Sequence, residues 1–250
     1  MRLLWSELRA AVPMILHGNP TLFSVIGFTL QVAVVATVVA TIIGVPIGLA
    51  IGLGRFRGRQ VLRVLANASL ALPPVLVGAF LFVLFLPQAP LGSLQLIWTK
   101  RVVFVGQTIL ALPFIVALTA AAVQGLPPGL LAQARLLGAG RIQVSTLALR
   151  EARIGVMAAV IAALGTALSE VAAVGTSLSE VAAVAILGGN IYGYNQTLAS
   201  ATLYEVNGGY YADALAIAIV LTGLILILMC GLAVLQHQGN GIRLRFRSAT

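Results

Sequence analysis

Two glutamates stand inside one apolar stretch. GTALSEVAAVGTSLSEVAAV, residues 165 to 184, repeats a ten-residue block that differs only at Ala167 against Ser177 and carries Glu170 and Glu180. A charge at a bilayer centre costs about 3 kcal/mol or more, so such a carboxylate is paired, protonated or wetted. The chemistry open to it is proton or cation handling, an interhelix hydrogen bond, or the geometry of a gate. Thr176, Ser177 and Ser179 place neutral hydroxyls beside Glu180.

Other chemistry is excluded by what is missing. The only lysine, Lys100, follows Trp98 and Thr99 and precedes Arg101, so no phosphate-binding P-loop is present and the chain is not itself an ATPase. His17 and His237 lie at opposite ends without metal-ligand spacing, and no serine has a credible His and Asp pair. The single cysteine, Cys230, rules out a disulfide framework or thiolate cluster. No catalytic residue, metal site or cofactor is expected in the chain.

The elements that must position these residues are transmembrane. The 250 residues are 60% hydrophobic and 8% charged, with a mean hydropathy of +1.06. Globular domains run roughly 25% charged. Apolar runs at 22–53, 64–86, 102–124, 154–189 and 210–236 give five spans, each long enough for a hydrocarbon core of about 30 Å. An all-α polytopic membrane protein with about five core helices is the expected fold class.

The net charge of +9 reads as topology rather than nucleic-acid binding, because the basic residues fall between apolar runs. Arg55, Arg57, Arg59 and Arg63 follow the first span; Arg135, Arg141, Arg150 and Arg153 separate the third and fourth; Arg243, Arg245 and Arg247 follow the fifth. These lie on one side, opposite Arg2, Arg9, Lys100 and Arg101, which puts the N-terminus outside and the C-terminus in the cytoplasm. Residues 1–20 read as an interfacial segment, since Glu7 and Arg9 interrupt the apolar core that a cleavable signal needs. Residues 21–238 form the transmembrane domain, with a cytoplasmic loop at 125–153, and 239–250 form a basic cytoplasmic tail.

Details within the spans add structure. Gly44, Gly48 and Gly52 recur every fourth residue, a stripe that lets another helix approach closely. LALPP at 70–74 echoes LALPF at 110–114, so Pro73, Pro74 and Pro113 are placed inside the second and third spans as kinks beside a pathway or gate. The duplicated block lengthens the fourth run to 36 residues, about 54 Å as one straight helix, with Gly165 and Gly175 as natural breaks.

The loop reads GLPPGLLAQARLLGAGRIQVSTLALREAR. Pro127, Pro128 and Gly129 stop the third span. Leu130, Leu131, Ala134 and Leu137 recur at helical spacing, and Gly138 and Gly140 end a short helix. An apolar stripe outside the membrane must be covered by the bundle itself or by a partner.

Here the sequence resembles the permease subunits of ATP-binding-cassette importers, whose cytoplasmic loop carries an E-A-A-x-x-x-G signature. The matching residues are Ala132, Gln133, Ala134, Arg135, Leu136, Leu137, Gly138 and Ala139, with Ala132 and Gln133 replacing the usual acidic residue and alanine. RFRGR, ALPPVLVGAFLFVL, ALPFIVALT, LREAR and SEVAAVAILGGNI extend the likeness to permeases of the tungstate, molybdate and sulfate class, the tungstate type above all.

The resemblance implies a type I importer permease fold, a homodimer around a central path, a cytoplasmic ATPase docked on Ala132–Ala139, and an external oxyanion-binding protein. ATP would be hydrolysed by the partner, and the location would be a bacterial or archaeal plasma membrane. It also aligns Glu180, ahead of the Gly188–Asn190 turn, with the family block and makes Glu170 an added copy; since a carboxylate would repel the transported oxyanion, Glu180 is assigned to interhelix hydrogen bonding or gate geometry, protonated by desolvation, and the hydroxyls of Thr176, Ser177 and Ser179 to the oxyanion path. A stand-alone secondary transporter or channel using the glutamates is the alternative, but it leaves the glycine-bounded loop helix without a role.

Overall fold

The computed structural model describes residue 13 and residues 20–54, 56–70, 74–127, 129–169, 185–192 and 194–247. Its long elements are all helices: α1 Pro20–Leu53, α2 Arg59–Ser69, α3 Pro74–Phe85, α4 Lys100–Gln124, α5 Leu130–Leu136, α6 Arg141–Glu151, α7 Arg153–Ser169, α8 Leu198–Gly208 and α9 Tyr211–Arg247. A single 3-10 turn, Gly92–Leu94, interrupts the loop between α3 and α4.

α1 is rich in valine and isoleucine, which disfavour helix in water. In hydrocarbon the backbone must bond to itself, and that requirement overrides propensity. With 34 and 25 residues, α1 and α4 are about 51 and 38 Å long, enough to cross a membrane. Both are apolar over their length, and they are the continuous spanning helices among the described residues. α3, α7 and the first part of α9 are shorter apolar helices.

The run at 64–86, read as one span, is two helices. α2 ends at Ser69, and Pro74 is the first residue of α3 rather than a kink within a span. Proline lacks an N–H and favours the first turn, where that donor is unsatisfied anyway. Pro113 does lie inside α4, as does Pro46 inside α1. Gly165 is a buried residue within continuous α7, not a break in it. α9 continues in backbone to Arg247, through most of the stretch read as a tail.

The chain divides into two compact units, with α1 and α4 contributing to both. The first holds residues to Ala36, Leu72–Leu110 and Gly165–Leu228. Its core packs Phe28 and Val32 of α1 against Leu81 and Phe85 of α3, Val102 and Val103 of α4, and Leu187. A second cluster joins Val25 to Leu198 and Ala201 of α8 and Leu221 of α9.

The second unit holds Thr37–Ala71, Ala111–Leu164 and the chain from Met229. Here the glycine stripe of α1 meets α4. A Cβ on Gly44 would stand 2.9 Å from Ile115 Cγ2, and one on Gly48 would stand 2.7 Å from Thr119 Cβ and 2.9 Å from the Val116 carbonyl oxygen. One on Gly52 would stand 3.1 Å from Val123 Cβ. Backbones this close gain dispersion contacts that any side chain would abolish. Below the stripe, Val123 packs with Ala148 and Ala152 of the α6 region and Val156 of α7.

Arg59, the first residue of α2, closes the end of α1. Its Nε donates to the Ile51 carbonyl at 2.7 Å and its Nη2 to the Gly52 carbonyl at 2.8 Å. Helix ends leave such carbonyls unbonded, and a cation complements the negative end of the helix dipole.

Candidate functional site

The loop helix is positioned by glycine at both ends. Gly129 (φ +96°) precedes α5, and Gly138 (φ +87°) ends it, so both adopt the left-handed conformation that side-chain-bearing residues avoid. The Gly138 N–H donates to the Arg135 carbonyl and the Ala139 N–H to the Ala134 carbonyl, each at 3.0 Å. At Gly140 the chain turns again, where its N–H donates to Gln143 Oε1 at 2.8 Å and α6 begins.

Of the stripe read from the sequence, Leu131 packs against the second unit's core while Leu130 and Ala134 are half-buried. Leu137 does not join them. It is 89% exposed beside Leu136 at 87%, and Ile142 at the start of α6 is 83% exposed. Leu136 and Leu137 at the end of α5 and Ile142 at the start of α6 thus stand on either side of the left-handed turn at Gly138 as exposed aliphatic side chains. Ala132, Gln133, Arg135 and Gly138 are also exposed, and Ala139 is half-buried. Beside the turn lies a cavity of about 900 Å³, lined by Pro46, Leu49, Leu53 and Phe56 and by Arg135, Gly140, Arg141 and Val144.

In the first unit the sequence GGNIYGYNQT builds a polar clasp that the sequence reading did not find. Asn195, 1% exposed, donates through Nδ2 to the Gly188 carbonyl and, at 3.4 Å, to the Trp98 carbonyl. Its Oδ1 accepts the Ile191 N–H at 2.8 Å. The Trp98 N–H donates to the Leu187 carbonyl at 3.1 Å, so the loop before α4 is tied to the turn through both backbone groups of one residue. Gly189 (φ +77°) sits under the indole, where a Cβ would come 2.7 Å from Trp98 Cδ1. Thr197 caps α8, and the Leu198 N–H donates to Thr29 Oγ1 of α1 at 2.8 Å.

α8 itself was not anticipated. Its signals were Thr197 three residues before Ser200 and the Gly208–Gly209 stop, with Gly209 at φ +80°. On α8, burial and then the neighbouring Asp213 raise the Glu205 carboxyl above its ordinary value of 4.5. Pro74 and Pro113 are placed as above, whereas Pro73, Thr176, Ser177, Ser179, Glu170 and Glu180 lie outside the described residues. Among the described residues no group of three or more His, Cys, Asp or Glu side chains is arranged to hold a metal.

Residues 44–238 match the family described as "Binding-protein-dependent transport system inner membrane component". The chain is 32% identical over 210 residues to a "Probable anion ABC transporter permease protein" of Haloferax volcanii, covering 82% of this chain and 86% of the relative. It is 25% identical over 213 residues to "Tungstate uptake system permease protein TupB" of Peptoclostridium acidaminophilum, covering 85% and 89%. The fold resembles that of the MetNI methionine ABC transporter in inward-facing form, with a TM-score of 0.63, 17% identity, and coverage of 88% of this chain and 96% of that one. The helical architecture is thus that of a type I importer permease, and the chain is an integral membrane transport component, not an enzyme, belonging to the binding-protein-dependent inner membrane component family.

Proposed function

We propose that this chain is the membrane-spanning subunit of an ATP-driven importer for a tetrahedral oxyanion, tungstate first, with molybdate and sulfate as the related cargoes. Two copies enclose the path in a bacterial or archaeal plasma membrane. A binding protein delivers the anion from outside, and a cytoplasmic ATPase supplies the energy, so ATP is a ligand of the partner. The N-terminus lies outside and the C-terminus in the cytoplasm, in keeping with the basic residues on the α1–α2 and α4–α7 connections.

The observation that carries the coupling role is the exposure of Leu136 and Leu137 at the end of a short helix held at both ends by glycine, and of Ile142 at the start of the next. Three large aliphatic side chains exposed together on a connecting loop are the anchor residues of a partner surface. The anion specificity is supported by the two relatives whose names carry it.

The test is reconstitution with the ATPase and binding protein in vesicles and measurement of tungstate uptake. ATP-dependent uptake that Leu136→Ser with Leu137→Ser abolishes, through loss of the ATPase from the purified complex, is the expected result. Uptake that proceeds without any ATPase subunit would instead establish a stand-alone transporter.

A further inference from the structure

The cavity beside the turn after α5 joins two kinds of wall. One is the C-terminal end of α1, where Pro46, Ala50 and Leu53 line it, with Phe56 just beyond. The other carries Arg135 of α5 and Arg141, the first residue of α6. No Asp or Glu lines the cavity among the described residues. Neither guanidinium has a hydrogen bond or ion pair among the described residues. Two like charges on one cavity repel each other unless they share an anion.

The apolar wall does not stop at the cavity. Val39, Ile42, Pro46, Ala50 and Leu53 follow one another at intervals of three or four residues, so they form one ridge along α1. The ridge lies on the face away from Gly44, Gly48 and Gly52, which are pressed against α4. Val39 is 38% and Ile42 67% exposed, so the chain's own packing leaves the ridge uncovered. From Val39 to Leu53 it rises about 21 Å, more than the roughly 15 Å of hydrocarbon in one leaflet. A ligand that fits both parts has an apolar tail on the ridge and a phosphate or similar anion at its end. Free phosphate, or a carboxylate of a soluble protein, would meet only the arginines.

We propose that this cavity holds the headgroup of an anionic phospholipid from the cytoplasmic leaflet, its phosphate shared by Arg135 and Arg141 and an acyl chain laid along the α1 ridge. Guanidinium matches phosphate with paired N–H donors, and basic pockets at the cytoplasmic ends of membrane helices take such headgroups. The inference rests on the cytoplasmic placement of the α5–α6 turn in the reading above, and not on the cargo. Arg135 directly precedes Leu136 and Leu137, so the lipid would sit against the helix that the ATPase is proposed to grip. Coupling would then depend on the composition of the leaflet.

In the test, the full-length permease is purified in neutral detergent, stripped of lipid and titrated with phosphatidylglycerol, phosphatidylcholine or inorganic phosphate, and bound lipid is counted by native mass spectrometry. Phosphatidylglycerol should bind about tenfold more tightly than phosphatidylcholine, with the gap narrowing as salt rises. Arg135→Gln with Arg141→Gln should close that gap, and Ala50→Glu, which puts a carboxylate on the wall, should weaken phosphatidylglycerol about as much. Arg150→Gln, on α6 but outside the cavity lining, should stay within about twofold of wild type. Phosphatidylglycerol should raise the melting temperature of wild type and not of the double variant. Without lipid the two should melt together, since exposed arginines have little packing to lose.

Equal binding of the two lipids by wild type, or a double variant that keeps the preference, overturns the inference. So does inorganic phosphate that displaces phosphatidylglycerol at equal concentration, which would make the cavity a free-anion site. Phosphatidylglycerol expelled on adding the ATPase, or absent from the permease dimer, gives the cavity to a protein partner and overturns it as well. Labelling of an Ala132→Cys variant, in a Cys230→Ser background, only from outside would overturn the topology and the choice of leaflet with it. A complex that moves no tungstate overturns the proposed cargo and leaves the lipid measurement standing.

Discussion

The clasp around Asn195 and the turn after α5 are built from opposite materials. Asn195, Thr197, Ser200 and Thr29 are buried polar residues bonded to one another or to nearby backbone, so the chain itself supplies their partners, although Asn190 Oδ1 and Gln196 Nε2 beside them are buried without one. Leu136, Leu137 and Ile142 are apolar and exposed, so the turn they sit on is completed only by something else. Burial of a polar group is tolerable when its partners are internal, and exposure of an apolar one when its partner is external. The first region should respond to mutation as a folding element, and the second as an interface.

The largest expected effect breaks the clasp. Asn195→Ala leaves the buried Gly188 carbonyl without its side-chain partner, at about 1 to 3 kcal/mol, and frees the Ile191 N–H, whose residue is exposed and can turn to water. A fall of several degrees in the melting temperature of the detergent-purified permease should follow, with α5–α6 mutants unaffected in the same assay. Equal melting temperatures for Asn195→Ala and wild type would remove the contrast.

Gly48→Val should rank next. Its Cβ would meet Thr119 Cβ and the Val116 backbone oxygen below 3.0 Å, and a backbone atom does not swing aside. Overpacking of this kind costs about 1 to 3 kcal/mol. Gly27→Val on the same helix, where a Cβ meets nothing within 4 Å, is the matched control for thermal stability.

At the interface end the signature is inverted. Leu136→Ser with Leu137→Ser should leave the melting temperature within about 1 °C, because residues almost fully exposed have little burial to lose. Co-purification with the ATPase should nevertheless fail. A melting temperature that drops while the ATPase is retained would place these leucines in the protein's own core.

The smallest effect is a pH dependence. Because the Glu205 carboxyl is raised by burial and by Asp213, its neutral form is favoured in the folded state. The stability this brings is complete below the ordinary value of 4.5 and is lost as pH rises through the elevated folded value. Glu205→Gln should therefore raise the melting temperature slightly at neutral pH and flatten its dependence between pH 7 and 4.5. A steeper dependence in the variant would reverse the sign.

What the sequence made legible was local. α1 and α4 followed from unbroken apolar length, the close approach from glycines four apart, and α5 from Pro127 and Gly129 before it and Gly138 after it. The division of residues 64–86 was hidden because apolar composition continues across the break and only Pro74 marks it. Leu137 was misplaced because helical spacing says which residues share a face and not whether anything in the chain covers that face at the helix's last turn. The clasp was illegible for another reason. Its local pairs, Asn195 with Gly188 and Ile191 and Thr197 with Ser200, are made by common residues, and the two bonds that tie it to Trp98 and Thr29 join residues far apart along the chain.

That distance has a consequence for how the protein is made. Asn195 reaches the Trp98 carbonyl across 97 residues, and Leu198 reaches Thr29 across 169. At roughly 5 to 20 residues per second, α4 waits about 5 to 20 seconds after its synthesis for the residue that secures its first turn. α1 waits about 8 to 34 seconds for α8. Through that interval the glycine contact with α4 is already available to α1, since both of its strips have left the ribosome together with α4. The half of each helix that bears this contact can therefore settle first, and the clasped half is the last to be secured. A ribosome that stalls before residue 195 leaves a chain whose second unit can begin to assemble and whose first unit cannot close.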